Sequence, residues 1–259
     1  MDSGTKHIML DVSELHKSYG ETRALVALSL RCQRGTVHTV FGENGSGKST
    51  LVKILSGIIG PDAGHVAIDN LAVMRFSPNA MRALGVAPVF QEVLVAPNRS
   101  VLDNIFLGFD GLVRRRLPRV DRPALASDAL AKITAARLDL NRLVGTLPLA
   151  QQQLVVIARA LVRNPSILIL DEVTAALDMA DREALFGYIH DFVSSGRLVI
   201  FISHRIDEVL ELSDEITVLR SGTTVATVSC RGLCAAELLE LVCESEPYGI
   251  ACEDKIGSD

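Results

Sequence analysis

The chain has 259 residues, 48% hydrophobic and 22% charged, which excludes a disordered or collagen-like polymer and suits one large domain or two small ones. A formal net charge of −5, 4% aromatic residues and no Trp argue against a protein built on nucleic-acid backbones or on stacked single strands. Charged residues interrupt every apolar run before it reaches membrane-spanning length, and the N-terminus carries no apolar stretch behind a basic cap, so neither a span nor a secretory leader is expected.

Along the chain, short β-branched runs alternate with amphipathic stretches, the pattern of an α/β domain with a largely parallel core. Thr36–Phe41 is a strand candidate, followed directly by a Gly-rich turn and a helix from Lys48 to Leu55 with Leu51, Ile54 and Leu55 at helical spacing. Ser77-Pro78 has the chemistry of a helix start, and Val86–Phe90 returns as a strand. From Gln91 to Gly145 strand signal is weak; helices are expected from Ser100 onward and from Pro123 through Ala136. Ile167–Leu170 and Leu198–Ile202 are apolar runs suited to strands covered on both faces, with a helix between them marked by Leu185, Tyr188, Ile189 and Phe192. Ser221-Gly222 turns between Glu215–Leu219 and Thr224–Val228, and a polar tail follows. The basic run Arg114-Arg115-Arg116, with Arg119 and Arg122, is expected to be a solvated loop, with anionic lipid headgroups as the alternative. Cys32, Cys230, Cys234, Cys243 and Cys252 are odd in number and widely spaced, as suits reduced cytosolic thiols.

Chemistry concentrates in two places. Gly42-Glu43-Asn44-Gly45-Ser46-Gly47-Lys48-Ser49 fits GxxxxGK[ST] between strand and helix: backbone N–H groups curl round a phosphate, Lys48 reaches the β- and γ-phosphates, and the Ser49 hydroxyl suits Mg²⁺. Downstream, an apolar strand ends in Asp171-Glu172, where Asp171 would hold Mg²⁺ and Glu172 would polarise an attacking water. Strand Leu198–Ile202 likewise runs into Ser203-His204, by itself a weak signal.

In this order, the phosphate loop, Gln91, a signature-like segment, Asp171-Glu172 and His204 resemble the ATP-binding subunit of an ABC transporter, from about Val12 to Val242. Within that family the chain is most similar to ATPases of bacterial monosaccharide importers of the ribose, xylose or galactose type, on GENGSGKSTLVKILSG (Gly42–Gly57), Pro61-Asp62 before Gly64, Ser77-Pro78, Gln91-Glu92, SVLDNIFLG (Ser100–Gly108), Gln151-Gln152-Gln153 and IFISHRIDEV (Ile200–Val209). The resemblance implies a P-loop NTPase core with a mainly parallel sheet, an N-terminal antiparallel β portion and an inserted helical subdomain of about residues 92–163. These would form one ATP-binding domain over 1–243, with a loose tail over 244–259. It implies ATP and Mg²⁺ as cofactors, Tyr19 stacking on adenine, Thr50 completing the phosphate loop, Gln91 meeting Mg²⁺ or water and relaying the nucleotide state, and Glu172 as general base. His204 would touch the γ-phosphate, and Asp178 would lie in the loop that crosses a dimer.

The chain departs from that pattern in its signature. The family's LSGGQ, or LSVGQ in sugar importers, stands here as Leu147-Pro148-Leu149-Ala150-Gln151. Pro148 brings neither hydroxyl nor N–H, and losing one such donor to a transition state costs about 3 kcal/mol. Val173 replaces a usual proline, a change expected to be minor. Relatives of this type often fuse two cassettes, whereas this sequence holds one phosphate loop, so it is expected to pair with itself or a homologue. The expectation is a peripheral ATPase on the cytoplasmic face of the cell membrane. Its partners would be a second ATP-binding subunit, transmembrane permease subunits and, indirectly, a periplasmic substrate-binding protein, with no nucleic acid. The alternatives are a weakened regulatory partner in a heterodimer and a non-transport ABC switch.

Overall fold

A computed structural model describes residues 7–109 and 121–242. The Arg114–Arg116 run, Arg119, Cys243, Cys252 and the expected tail at 244–259 lie outside them.

Two sheets are stacked around the first helix. The N-terminal portion pairs β1 (Ile8–Tyr19) with β2 (Thr22–Gln33), then adds β4 (Ala63–Ile68) and β5 (Leu71–Ala72), giving an antiparallel sheet of order β2-β1-β4-β5; β3 (Val37–Phe41) goes elsewhere. The β1–β2 register shifts at several points, with Glu14 and Ala27 at positive φ. Such bulges interrupt strict apolar alternation and bend the ribbon.

β3 belongs to a second sheet of order β10-β9-β3-β8-β7-β6. Its strands are β6 (Val86–Val89), β7 (Ile167–Asp171), β8 (Leu198–Ile202), β9 (Glu215–Arg220) and β10 (Thr223–Ser229); only β10 runs antiparallel to its neighbour. Every residue of β3, β7 and β8 is buried, as their unbroken apolar runs require when both faces are covered. Pro88, with no N–H to give, sits on the edge strand β6.

The first helices are α1 (Lys48–Leu55) and α2 (Pro78–Ala83), the latter capped by the Ser77 side chain, which accepts from the Ala80 N–H at 3.2 Å. Leu51, Ile54 and Leu55 of α1 pack between the sheets with Leu10, Leu15, Leu28, Ile200 and Ile202. Between β6 and β7 the described residues hold α3 (Val101–Ile105), α4 (Arg122–Ala131), a 3-10 turn at Val144–Thr146 and α5 (Leu149–Leu161), with one isolated bridge, Ser100 to Leu143. Fully buried Asn104 ties α3 to its flanks: its carbonyl accepts from Arg159 Nε of α5 at 2.8 Å, and its side-chain oxygen accepts from Ala96 N–H at 2.8 Å. α4 stops at Ala131, short of the Ala136 expected from sequence. Ile133 and Thr134 instead turn inward, where Thr134 Oγ1 donates to Asp181 at 2.6 Å and accepts from the Ala136 N–H at 3.0 Å, competing with the helical backbone. The remaining helices are α6 (Met179–Ser194), α7 (Ile206–Leu212) and α8 (Ala235–Val242). Leu185, Ile189 and Phe192 of α6 are buried, with Tyr188 partly so. Cys32 and Cys230 are buried and free, and Cys234 is half-buried. Among the described residues no helix is long and apolar enough to cross a membrane.

Candidate active site

Parallel strands deliver their chemistry at their C-terminal ends. β3 leads into Gly42, β6 into Gln91, β7 ends on Asp171, and β8 is followed by Ser203-His204. Because β3, β8, β7 and β6 lie side by side, residues as far apart in sequence as Gly42 and His204 meet at one rim. They line a cavity of about 850 Å³ with Tyr19, Gly42 to Gly45, Gly47 to Thr50, Gln91, Asp171, Glu172 and His204.

The loop after β3 has a backbone only glycine tolerates at two points. Gly42 has φ 152°, and a Cβ there would run into the Leu219 carbonyl oxygen and sit 2.9 Å from Ser46 Oγ. Gly47 has φ 108° and opens α1; its Cβ would lie 2.7 Å from Leu25 Cδ2 and 2.9 Å from the Ala24 oxygen. The turn is braced by Ser46 N–H to the Glu43 oxygen (3.1 Å) and by Gly222 N–H to the Ser46 oxygen (3.0 Å). Ser46 Oγ is buried with no partner. The Lys48 ammonium, nearly buried, donates to the Gly42 and Glu43 oxygens at 2.7 and 2.8 Å. Burial lowers its pKa, against the opposing pull of Glu172, Asp171 and Glu43. A cradle of glycine backbone, an orphan buried hydroxyl and a buried cation fit a bound polyphosphate.

Asp171 is buried, and its pKa is pushed up to about 6, first by burial and then by the neighbouring Glu172, with Lys48 pulling the other way. Two adjacent carboxylates in a half-dry setting suit a hard divalent cation, and the Ser49 hydroxyl and the Gln91 amide oxygen are oxygen donors lining the same cavity. Glu172 itself is left-handed, at φ 50° and ψ 33°. Its N–H donates to the Ile202 oxygen at 2.9 Å, which pins the turn to β8. Gln91 Nε2 donates to Glu172 Oε2 at 2.9 Å, and His204 Nδ1 lies 3.3 Å from Oε1. Two residues remote in sequence from Glu172 and from each other thus converge on one carboxylate. Tyr19 is half exposed at the end of β1, on the same cavity wall.

The signature-like segment lies elsewhere. Pro148, at φ −56° and ψ 154°, is the N-cap of α5, and no side chain caps that terminus. Leu147 is buried and Leu149 exposed, while Gln152 Nε2 donates to the Leu147 oxygen at 2.8 Å. Pro148, Ala150, Gln151 and Asp178 line a separate cavity of about 420 Å³ that shares no lining residue with the first. Asp178 caps α6, accepting from the Asp181 N–H at 2.9 Å. Val173 is buried in the main core. Sequence reasoning did not single out Thr22, Arg23 and Ala24, which also line the first cavity; they follow the β1–β2 turn and carry no motif of their own.

A sequence profile described as "ABC transporter" matches residues 25–175. The chain belongs to the ABC transporter family. Among curated proteins it is 39% identical over 245 residues to "Ribose import ATP-binding protein RbsA 1" of Mesorhizobium japonicum, a match covering 93% of this chain and 47% of that protein. To the protein of the same name from Burkholderia ambifaria it is 42% identical over 240 residues, covering 90% and 46%. The chain therefore spans about half the length of the curated relatives it matches. Among solved ABC structures, an ATP-binding cassette in a dimeric post-hydrolysis state bound to ADP and Pi superposes with a TM-score of 0.78 at 27% identity, covering 87% of this chain and all of that one. A subunit from Clostridium perfringens described as part of an ABC transporter complex gives 0.75 at 27% identity, covering 90% and 94%.

Proposed function

We propose that this ABC protein binds and hydrolyses ATP to drive an importer, with a monosaccharide as cargo. The observation that carries the reading is Glu172: a carboxylate at the rim of the Lys48 cradle, held from one side by Gln91 and from the other by His204. Backbone N–H groups of Gly45 to Ser49 and the Lys48 ammonium orient the phosphates, and Tyr19 offers an exposed ring for the base. Mg²⁺, held by Ser49 and Asp171 with Gln91, would neutralise phosphate charge as the terminal phosphoryl group departs. Glu172 orients the attacking water and takes its proton, while His204 holds the Glu172 carboxylate and faces the terminal phosphate.

The sugar assignment rests on the ribose importer relatives and on the segments quoted above. A second ATP-binding subunit closes the site, the helical segment of about 92–163 and Gln91 relay closure to transmembrane permease subunits, and a periplasmic binding protein supplies cargo; the chain works at the cytoplasmic face of the membrane. A second reading, a regulatory cassette with little turnover of its own, is favoured by one observation: α5 begins on a proline with no capping side chain.

Phosphate release at saturating Mg-ATP, alone and with the permease co-expressed in membranes, tests both. Release that rises on permease assembly and with added sugar and binding protein supports the importer. ATP binding without release under every condition supports the regulatory cassette, and absence of nucleotide binding defeats both.

A further inference from the structure

Glu208 is a completely buried acid that lines neither cavity. It lies in the first turn of α7. Buried carboxylates persist only when their oxygens are matched. Here Oε2 accepts two hydroxyls, Thr174 Oγ1 at 2.7 Å and Ser203 Oγ at 2.9 Å. On the other side Oε1 accepts no hydrogen bond and is matched by charge alone, the Arg205 Nη1 lying 3.2 Å away as an ion pair. Thr174 and Ser203 are themselves almost wholly buried, and Ser203 Oγ also accepts from the Arg205 N–H at 3.1 Å.

The two hydroxyls belong to the two segments that matter most at the rim. Thr174 is in the 3-10 turn that starts immediately after Glu172, and Ser203 immediately precedes His204. One carboxylate oxygen therefore fastens the Glu172 turn to the His204 loop from beneath, while Glu172 and His204 meet above at 3.3 Å. Glu172 N–H to the Ile202 oxygen is the backbone counterpart of that fastening. An acceptor-only group is what the position demands, because both neighbours arrive as donors and the third is a cation. An amide could accept both hydroxyls only by turning its NH₂ toward Arg205.

We infer that Glu208 is a positioning residue whose carboxylate sets the spacing between the Glu172 turn and the His204 loop, and thereby the rate of hydrolysis, without taking part in nucleotide binding. The inference rests on the hydrolytic reading of the cavity. Displacing a reacting group by about 1 Å costs on the order of 10²-fold in rate, so a clamp of this kind acts on turnover even though it touches no substrate.

The test uses the full chain with Glu208→Gln, Glu208→Asp, Thr174→Val and Ser203→Ala. Single-turnover phosphate release, Mg-ATP affinity and backbone hydrogen exchange are measured on each. The expected result for Glu208→Gln is turnover lower by about 10- to 100-fold with affinity within about twofold, and faster exchange in segments 172–177 and 203–206 together. Thr174→Val costs severalfold alone but adds almost nothing to Glu208→Gln, since both break one link. Full turnover in folded Glu208→Gln overturns the inference, as does a loss that tracks affinity or the folded fraction, or additive effects of the two substitutions. If Glu208→Gln does not fold, the Thr174→Val and Ser203→Ala pair carries the same comparison. If the parent chain hydrolyses nothing, the hydrolytic reading fails by itself. The clamp is then judged on exchange: faster exchange confined to both segments supports it, and unchanged exchange overturns it.

Discussion

Two helix N-termini in this molecule, those of α1 and α5, use the same backbone device and are equipped in opposite ways. α1 opens on Gly47 in the left-handed region, with Lys48 and Ser49 in its first turn and a glycine cradle before it. α5 opens on Pro148, which has no donor, continues through exposed Leu149, and carries Ala150 at the position where the family pattern has glycine. Every helix start offers free N–H groups and a positive dipole end. What separates an anion site from a mere helix start is the dressing: room for the phosphate, a cation and a hydroxyl. In this chain the α1 end is fully dressed and the α5 end stripped, so a site built from two copies would be strong on one wall and weak on the other.

The largest expected effect lies on the α1 side. Glu172→Gln preserves Mg-ATP binding and lowers hydrolysis by about 10²–10⁴, read as single-turnover phosphate release; an unchanged rate would remove Glu172 from the role of base. Lys48→Ala is expected to weaken nucleotide affinity by about 10²-fold, the worth of a charge-assisted bond to a desolvated phosphate. Titration calorimetry showing a loss under threefold would mean the α1 terminus is less favoured than its residues suggest. The next substitution dresses the other wall. Pro148→Ser with Ala150→Gly is expected to raise phosphate release by about tenfold under dimer-forming conditions, below the full effect of a restored donor because the neighbours are adapted to proline. A double variant no faster than the parent would dissolve the contrast between the termini.

The smallest effect concerns Asp171 and pH. Its folded-state pKa, about 6, lies above that of an unfolded carboxylate. It therefore contributes stability that is complete below about pH 4 and lost as pH rises through about 6. Asp171→Asn should raise the thermal midpoint of nucleotide-free protein by a few degrees at pH 7.5 and hardly at pH 4, while abolishing stabilisation by Mg²⁺ with nucleotide. A midpoint that shifts equally at both pH values would assign the effect to packing instead of charge.

What sequence could reach follows from how local each feature is. β7 and β8 are legible because four and five consecutive apolar residues between polar flanks leave few alternatives, and the phosphate loop because its spacing is contiguous. Ser77 and Ser100 were readable as helix starts for the same reason. The β1–β2 ribbon was reached only through resemblance, since the bulges at Glu14 and Ala27 erase its alternation. α4 was read too long because Thr134 interrupts it through a partner, Asp181, that lies 47 residues away. The Thr174–Ser203–Glu208 clamp leaves no trace in spacing: Ser203 and Glu208 fall within the IFISHRIDEV segment, but nothing local ties them to Thr174, which joins them only when β7 and β8 lie side by side.

The left-handed backbone at Glu172 also bears on how such a protein decays. Glycine fits that geometry at no cost and asparagine at little, whereas β-branched residues are strained there by about 1–2 kcal/mol. With Glu172 in the proposed role of base, chemistry closes the position to glycine and asparagine, and geometry closes it to Thr, Val and Ile, so few replacements keep both fold and function. The substitutions that silence hydrolysis most gently are the ones that relax the chain. A lineage released from the need to turn over ATP would drift toward them and gain stability as it lost activity, leaving an inert cassette that folds at least as well as its working ancestor.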